Sequence, residues 1–128
     1  MPMRFLRRFT LTSAALALAA MALSTPAAAQ TEQPLHVVTY IDVFPMFAAD
    51  TAKALQDFSA ASSKDPGFVR MDVMRDVDRT NHFAVVEVWR TRKEYEAHLG
   101  QAHTRQFREK IQPGLGSPFD ERLYHTLP

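Results

Sequence analysis

The order of strand and helix patterns beyond residue 34 constrains the fold of this chain more than any other feature. Two hydrophobic periods alternate there: every second residue, which is typical of strands, and every third or fourth, which is typical of helices. They predict strand, helix, strand, strand, helix and strand in that order. Such a chain is expected to fold as an α+β, ferredoxin-like βαββαβ sandwich, in which four antiparallel strands carry the helices on one face.

The predicted strands are short and rich in β-branched and aromatic residues. The first covers residues 35–43, where leucine, valine, threonine, isoleucine and valine at the odd positions form one apolar face. Residues 68–75 and 82–90 flank a polar turn and predict a hairpin. The last strand is predicted over residues 119–126.

Turn and capping residues predict where the helices begin and end. The first helix, over residues 46–64, should end at the Asp-Pro-Gly sequence of residues 65–67, because proline cannot continue a helix. Thr91 and Glu94 form a capping box that opens the next helix. A further short helix is predicted over residues 102–112.

The first 29 residues predict a secretory signal peptide. A short basic region, residues 1–8, precedes an apolar run of 13 residues that is too short to span a bilayer, and alanines at 27–29 form a cleavage site before Gln30. We expect an exported protein, periplasmic or secreted, whose domain comprises residues 30–128. No cysteine follows the cleavage site, so no lipid anchor and no stable membrane anchor are expected.

Composition narrows the partners of the remaining domain. Three of the 15 basic side chains lie in the signal segment, which leaves a slightly acidic domain without the basic footprint of a nucleic-acid-binding protein. The absence of cysteine excludes disulfides and thiolate metal sites. A domain of this size without disulfides or a thiolate metal site is expected to gain stability as a homodimer.

The strand patterns also suggest how two copies would meet. Val38 and Tyr40 point away from the apolar face of the first strand, and Phe83, Val85 and Trp89 share one side of the third. We expect these side chains to lie on an open sheet face that a second copy covers.

In order, the segments HVVTYIDV, DPGFVRMDVMRD, NHFAVVEVW and TRKEYEAHLGQAHTRQF resemble the antibiotic biosynthesis monooxygenase (ABM) family of dimeric α/β-barrel proteins. The resemblance spans residues 35–126. It implies a ferredoxin-like fold, a homodimer and a monooxygenase that uses dioxygen without an organic cofactor or metal. The same superfamily holds haem-degrading oxygenases, isomerases and dehalogenating enzymes, so the resemblance implies the fold more firmly than the chemistry.

His103 resembles the histidine that many family members place at the pocket, and it is the candidate base; the alternative is a histidine that caps or packs at a helix start. His98 is expected at the surface or an interface. The spacing of five between the two does not match the pair of histidines in a helical zinc site, and no third ligand is evident, so we predict no metal.

Trp89 and Tyr95 match a tryptophan and tyrosine that line the pocket in family oxygenases acting on aromatic polyketides. There the indole would stack on a flat substrate and the phenol would hydrogen-bond its oxygen. The alternative is that Trp89 is a core anchor. Those oxygenases carry an asparagine four residues before the tryptophan, where this chain has Val85, which cannot donate to a developing oxyanion.

Five further residues are predicted to contact the substrate: Tyr40, Phe58, Phe83, Glu87 and Phe107. Tyr40 stands where haem-degrading relatives need an asparagine. Glu87 is the one carboxylate on an apolar strand; buried, it would have a raised pKa and act as a base, whereas at a rim, the favoured position, it would be solvated. No glycine-rich phosphate loop is present, so no nucleotide or flavin cofactor is expected.

Two functions follow from these expectations. The first is an exported, cofactor-independent monooxygenase that acts on a small hydroxylated aromatic or quinol, with His103 as base. The second is a non-catalytic dimeric barrel of the cell envelope that binds a small ligand or haem.

Overall fold

The computed structural model describes residues 32–128. Its regular elements are β1 (Leu35–Asp42), α1 (Ala48–Ser62), β2 (Phe68–Arg75), β3 (His82–Trp89), α2 (Arg92–Leu99), α3 (Ala102–Ile111) and β4 (Asp120–Tyr124). Single turns of 3-10 helix precede α1 and follow α3. The predicted signal peptide lies outside the described residues.

The four strands form one antiparallel sheet in the order β2-β3-β1-β4. The predicted order of elements is confirmed, and the fold is the expected ferredoxin-like α+β sandwich. The helical region after β3 consists of two helices, as the sequence indicates. Within residues 32–128, no helix has the length and apolar character needed to cross a bilayer.

The register of β1 and β3 separates the two faces of the sheet. Val37 lies opposite Glu87 and Thr39 opposite Val85, and these side chains point toward the helices. Directly opposed residues of an antiparallel pair project from the same face, so the odd-numbered residues of both strands share the inner face. Val38 lies opposite Val86 on the outer face.

The expected composition of the open face is therefore wrong in part. Phe83, Val85 and Trp89 are buried beneath the helices, whereas Val38 and Tyr40 do lie on the outer face, where Tyr40 is 47% exposed. The alternation within each strand correctly predicted which of its residues share one face of the sheet. It could not fix which side of β3 joins which side of β1, because that depends on the pairing register.

Two apolar clusters hold the helices to the sheet. The larger contains Ile41, Leu55, Phe83 and Phe107 and joins α1 and α3 to the strands. The smaller forms around Trp89 beneath α2. Each large apolar side chain buried in this way contributes about 1.5–3 kcal/mol.

The turn after α1 brings that helix end toward α2. Gly67 has a φ of +83°, and a Cβ there would overlap the side chain of Glu94. Thr91 Oγ1 accepts a hydrogen bond from the Glu94 amide at 3.1 Å, which confirms the N-cap. The Arg90 amide donates to the Gly67 carbonyl at 2.9 Å. These contacts fix Asp65, two residues before Gly67, beside α2 and α3.

Candidate active site

A small cavity lies between the helices and the inner face of the sheet, and we call it the inner cavity. The centre of a water-sized sphere can reach about 10 Å³ of it, which is room for about one water molecule. A larger ligand must therefore displace lining side chains. The lining residues are Thr39, Ile41, Phe58, Val85, Glu87, His98, Leu99, Phe107, Arg108, Phe119 and Glu121.

Glu87 projects from β3 into this region and is 4% exposed. Its Oε2 accepts a hydrogen bond from Trp89 Nε1 at 2.8 Å. Burial raises the pKa of Glu87 to about 7, although the Trp89 hydrogen bond opposes this rise. Near neutral pH this carboxyl group can therefore give or take a proton. Of the two positions considered for Glu87, the favoured rim position is wrong and the buried one is confirmed.

His98 also lines the inner cavity, and its expected position at the surface is wrong. The residue is 2% exposed, and its ring centroid lies 4.4 Å from that of Trp89. Tyr95 and His98 are three residues apart on α2, so both turn toward the sheet. Burial lowers the pKa of His98, which favours the neutral imidazole.

Asp65 connects His98 to His103. The Asp65 Oδ2 atom lies 2.7 Å from His98 Nδ1 and 2.8 Å from His103 Nε2. On its other side, His98 Nε2 lies 3.9 Å from Glu87 Oε2. Four titratable side chains from four elements and turns thus form a row that begins in the inner cavity.

His103 lies at the opposite end of this row, in a surface groove between α1 and α3. About a quarter of its side chain is exposed. The groove, which we call the outer groove, has about 250 Å³ of space by the same measure as the inner cavity. Its lining residues include Ala54, Phe58, His103, Gln106 and Phe107. His103 therefore reaches the inner cavity through Asp65 and His98 rather than directly.

The same cluster supplies the candidate metal ligands of the described residues. One ligand atom each from Asp65, His98 and His103 lie within 4.8 Å of one another. The two histidines were considered as ligands from the sequence, whereas Asp65 was not. The 2.7 and 2.8 Å separations are those of direct hydrogen bonds between the nitrogens and the Asp65 oxygen.

Trp89 and Tyr95 lie beneath the inner cavity rather than in its lining. Trp89 is fully buried, with the Phe68 ring edge-on at 5.6 Å and the His98 ring on another side. This placement is that of a core anchor which also positions Glu87. The Tyr95 hydroxyl is buried without a hydrogen-bond partner, and burial, together with the carboxylates of Glu121 and Glu87, raises its pKa.

The structure brings together some of the other predicted contact residues and separates the rest. Phe58 and Phe107 stack with centroids 4.3 Å apart and line both the inner cavity and the outer groove. Phe83 is buried in the larger core cluster, outside the cavity lining. Tyr40 lies on the outer face under Arg122, so it cannot contact a ligand in the inner cavity.

Sequence reasoning missed several polar residues at this site. The Thr39 hydroxyl is buried in the cavity lining without a partner. Arg108 Nη2 lies 2.6 Å from Glu121 Oε2, and its guanidinium covers the Phe119 ring at 4.8 Å. Thr39 could have been identified from the sequence as a candidate site residue, because it is the one polar residue on the apolar face of β1. Asp65 was taken only for a helix terminator.

Three solved structures illustrate the similarity of this fold to known proteins. A protein from Nitrosomonas europaea, described as a candidate antibiotic biosynthesis monooxygenase, has a TM-score of 0.71 and 23% identity over 75% of this chain and 92% of its own. SnoaB, a cofactor-independent oxygenase from Streptomyces nogalater, has a TM-score of 0.66 and 18% identity over 73% and 93%. A protein of unknown function from Bacteroides thetaiotaomicron, described as a possible oxidoreductase, has a TM-score of 0.69 and 19% identity over 74% and 99%.

At these identities the solved structures show a shared fold. No functionally curated protein matches the chain. The family model of the antibiotic biosynthesis monooxygenases matches residues 34–110, which include every element from β1 to most of α3. Together with the ferredoxin-like fold, this match shows that the chain belongs to the antibiotic biosynthesis monooxygenase family.

Proposed function

We propose that this protein is a cofactor-independent monooxygenase that oxidises a small hydroxylated aromatic or quinol in the inner cavity. One observation carries the proposal: a buried, largely apolar cavity contains a neutral imidazole, His98, beside a carboxyl group, Glu87, whose pKa is about 7. Proton acceptors of this kind in a dry aromatic pocket are what deprotonation of a phenol requires.

The reaction needs no external reductant. His98 Nε2 accepts the proton of the substrate hydroxyl, and the electron-rich phenolate then reduces dioxygen. One oxygen atom enters the ring at a carbon that loses its hydrogen, and the other leaves as water. A phenol plus dioxygen thus gives a quinone plus water, with all four electrons supplied by the substrate. The protein contributes the base, orientation and exclusion of water.

The cavity lining suggests how the substrate would be held. The stacked rings of Phe58 and Phe107 offer apolar walls for a flat molecule, and Thr39 Oγ1 is free to bond a substrate oxygen. The Arg108–Glu121 pair and Phe119 border the same space. Because the cavity has room for about one water molecule, substrate entry requires these bordering side chains to move.

The geometry favours His98 over His103 as the base. A general base must lie within hydrogen-bond reach of the proton that it removes. His98 lines the inner cavity, whereas His103 lines the outer groove. Trp89 and Tyr95 then support the site from below, and Trp89 does so by donating its hydrogen bond to Glu87.

Oxygen uptake by protein comprising residues 30–128 tests this proposal. The substrates are a panel of hydroquinones and naphthols, and a metal chelator is present throughout. We expect uptake above the spontaneous rate, formation of one ring-oxygenated quinone per dioxygen without hydrogen peroxide, and no effect of the chelator. Uptake equal to the spontaneous rate across the panel would contradict the proposal.

A non-catalytic binding function is the second candidate, and the lack of a side-chain donor at Val85 in the cavity lining favours it. A cavity with room for about one water and with Val85 in place of a donor is also compatible with a site that sequesters a ligand. Haem is far larger than this space. Titration of the same protein with naphthols and with haem, followed by tryptophan fluorescence, distinguishes tight binding without turnover from catalysis.

We also propose that the protein is exported and that it forms a homodimer. Residues 1–29 have the features of a signal peptide, and the outer sheet face carries Val38, Tyr40 and Met74, of which the last two are about half exposed. Mass spectrometry of protein recovered from the periplasm should give a chain beginning at Gln30. Light scattering should give twice the mass of that chain, and Val38→Asp should reduce it to the monomer mass.

A further inference from the structure

Two distances around the His98 ring determine which of its nitrogen atoms carries the proton. His98 Nδ1 is 2.7 Å from Asp65 Oδ2, but His98 Nε2 is 3.9 Å from Glu87 Oε2. The first distance is a hydrogen bond and the second is too long for one. Because a carboxylate oxygen accepts, the proton of a neutral His98 is favoured at Nδ1.

The remaining polar neighbour of the ring does not compete for this proton. Thr104 Oγ1 lies 3.4 Å from Nδ1 and 3.5 Å from Nε2, both long contacts. Its hydroxyl donates instead to the main-chain carbonyl of His98 at 2.8 Å. Asp65 is therefore the one close partner of the ring nitrogens among the described residues.

We propose that Asp65 holds His98 as the tautomer protonated at Nδ1, so that the unprotonated Nε2 faces the inner cavity, and that His103 shares the same Asp65 oxygen and links this arrangement to solvent in the outer groove. Asp65 and His103 are then positioning residues for His98. Their effect on catalysis rests on the proposed function, whereas the tautomer of His98 does not.

Charges on every side of His98 determine how it responds to pH. Burial lowers its pKa, the hydrogen bond and charge of Asp65 oppose this, and positive charge on His103 and Arg108 lowers it further. Glu87 faces the Nε2 side. His103 shares the Asp65 oxygen with His98, so a change of side chain at His103 alters the partner that holds Nδ1.

Nitrogen-15 NMR of the histidine rings tests the tautomer directly. The sample is protein comprising residues 30–128, which include every element of the fold, at pH 8 with and without a chelator. We expect His98 to carry its proton on Nδ1 in both samples. A proton on Nε2 would overturn the proposal, as would a His98 spectrum that changes with the chelator, since a metal ion would then occupy Nδ1.

Asp65→Asn is the matched variant, because its amide can donate to Nδ1 and so move the His98 proton to Nε2. The control is Asp57→Asn, an exposed α1 residue that pairs with Lys53 at 2.9 Å. We expect the tautomer to change in the first variant and not in the second. An unchanged tautomer both in folded Asp65→Asn and in folded Asp65→Ala, which has no side-chain acceptor at this position, would overturn the proposal; if neither variant folds, the wild-type spectrum alone decides.

The activity measurements separate this inference from the proposed function. In Asp65→Asn we expect kcat to fall by up to about 100-fold, the lower end of the range of general-base catalysis, with little change in KM. Wild-type protein without oxygen uptake would contradict the proposed function, yet the NMR result would still stand or fall by itself.

Discussion

The two histidines of the row differ in burial and in surroundings although their sequence positions are only five apart. His98 is 2% exposed and packs against Trp89, while about a quarter of the His103 side chain is open to the outer groove. Both contact the same oxygen of Asp65. The difference teaches that burial, rather than residue type, assigns the chemical role: the inner histidine can act on a molecule in the inner cavity, and the outer one can only position its neighbours.

The packed interior around Trp89 and the outer groove should differ most in how much a side chain there contributes to the free energy of unfolding. Trp89→Ala removes a fully buried side chain and should lower the free energy of unfolding by about 3–5 kcal/mol. Gln106→Ala, in the outer groove, should change it by less than about 0.5 kcal/mol. Urea denaturation measures both. Equal losses of stability in the two variants would contradict tighter packing around Trp89 than in the outer groove.

The buried carboxyl group of Glu87 should make stability depend on pH. Its folded pKa of about 7 lies above the 4.5 of an ordinary glutamate side chain, so wild-type stability is greatest below the lower value and falls as pH rises through the higher one. Glu87→Gln keeps an acceptor for Trp89 and removes the charge. The variant should gain up to roughly 3 kcal/mol over the wild type at pH 8 and little at pH 4.

Denaturation of both proteins from pH 4 to 9 measures this difference. Glu109→Gln is the control, because Glu109 lies exposed on α3. A Glu87→Gln advantage that is constant across the pH range would contradict a titrating carboxyl group.

Gly67→Ala should disturb the turn that holds Asp65 between the two histidines. The positive φ is strained for alanine, and the added Cβ overlaps Glu94, so the free energy of unfolding should fall by about 1–3 kcal/mol. Gly100→Ala has a negative φ and more space, and its effect should be smaller. Thermal unfolding compares the two, and equal stability losses would contradict a special requirement at Gly67.

Thr39→Val should have the smallest effect on stability and a specific effect on binding. The Thr39 hydroxyl is buried without a partner, so its loss should leave stability unchanged or raise it by about 1 kcal/mol. If this hydroxyl bonds the substrate, KM should rise about tenfold while kcat changes less. Unchanged KM with every accepted substrate would show that the substrate does not contact Thr39.

Local patterns predicted the fold well because they act over a few residues. The alternation of β1, the Asp-Pro-Gly end of α1 and the Thr91 cap of α2 each specify an element with their neighbours alone. The inner and outer faces were partly confused, since the pairing of Thr39 with Val85 joins residues 46 positions apart. No short-range pattern contains that information.

The site was harder to predict for the same reason. Phe58, Glu87 and Phe107 were identified from the sequence and do line the inner cavity. His98 was placed at the surface because a lone histidine on a short polar helix gives no sign of which side faces the sheet. Asp65 lies 33 residues from His98 in sequence, so only the folded chain shows that they meet.

Oxygen uptake by His98→Gln and His103→Gln, measured side by side with the same substrate and chelator, tests the central claim most directly. The inner cavity as the active site predicts a loss in kcat of about 100-fold or more for His98→Gln. His103→Gln should lose less than about tenfold. The reverse order, with full activity in folded His98→Gln, would contradict the account and return the base to His103.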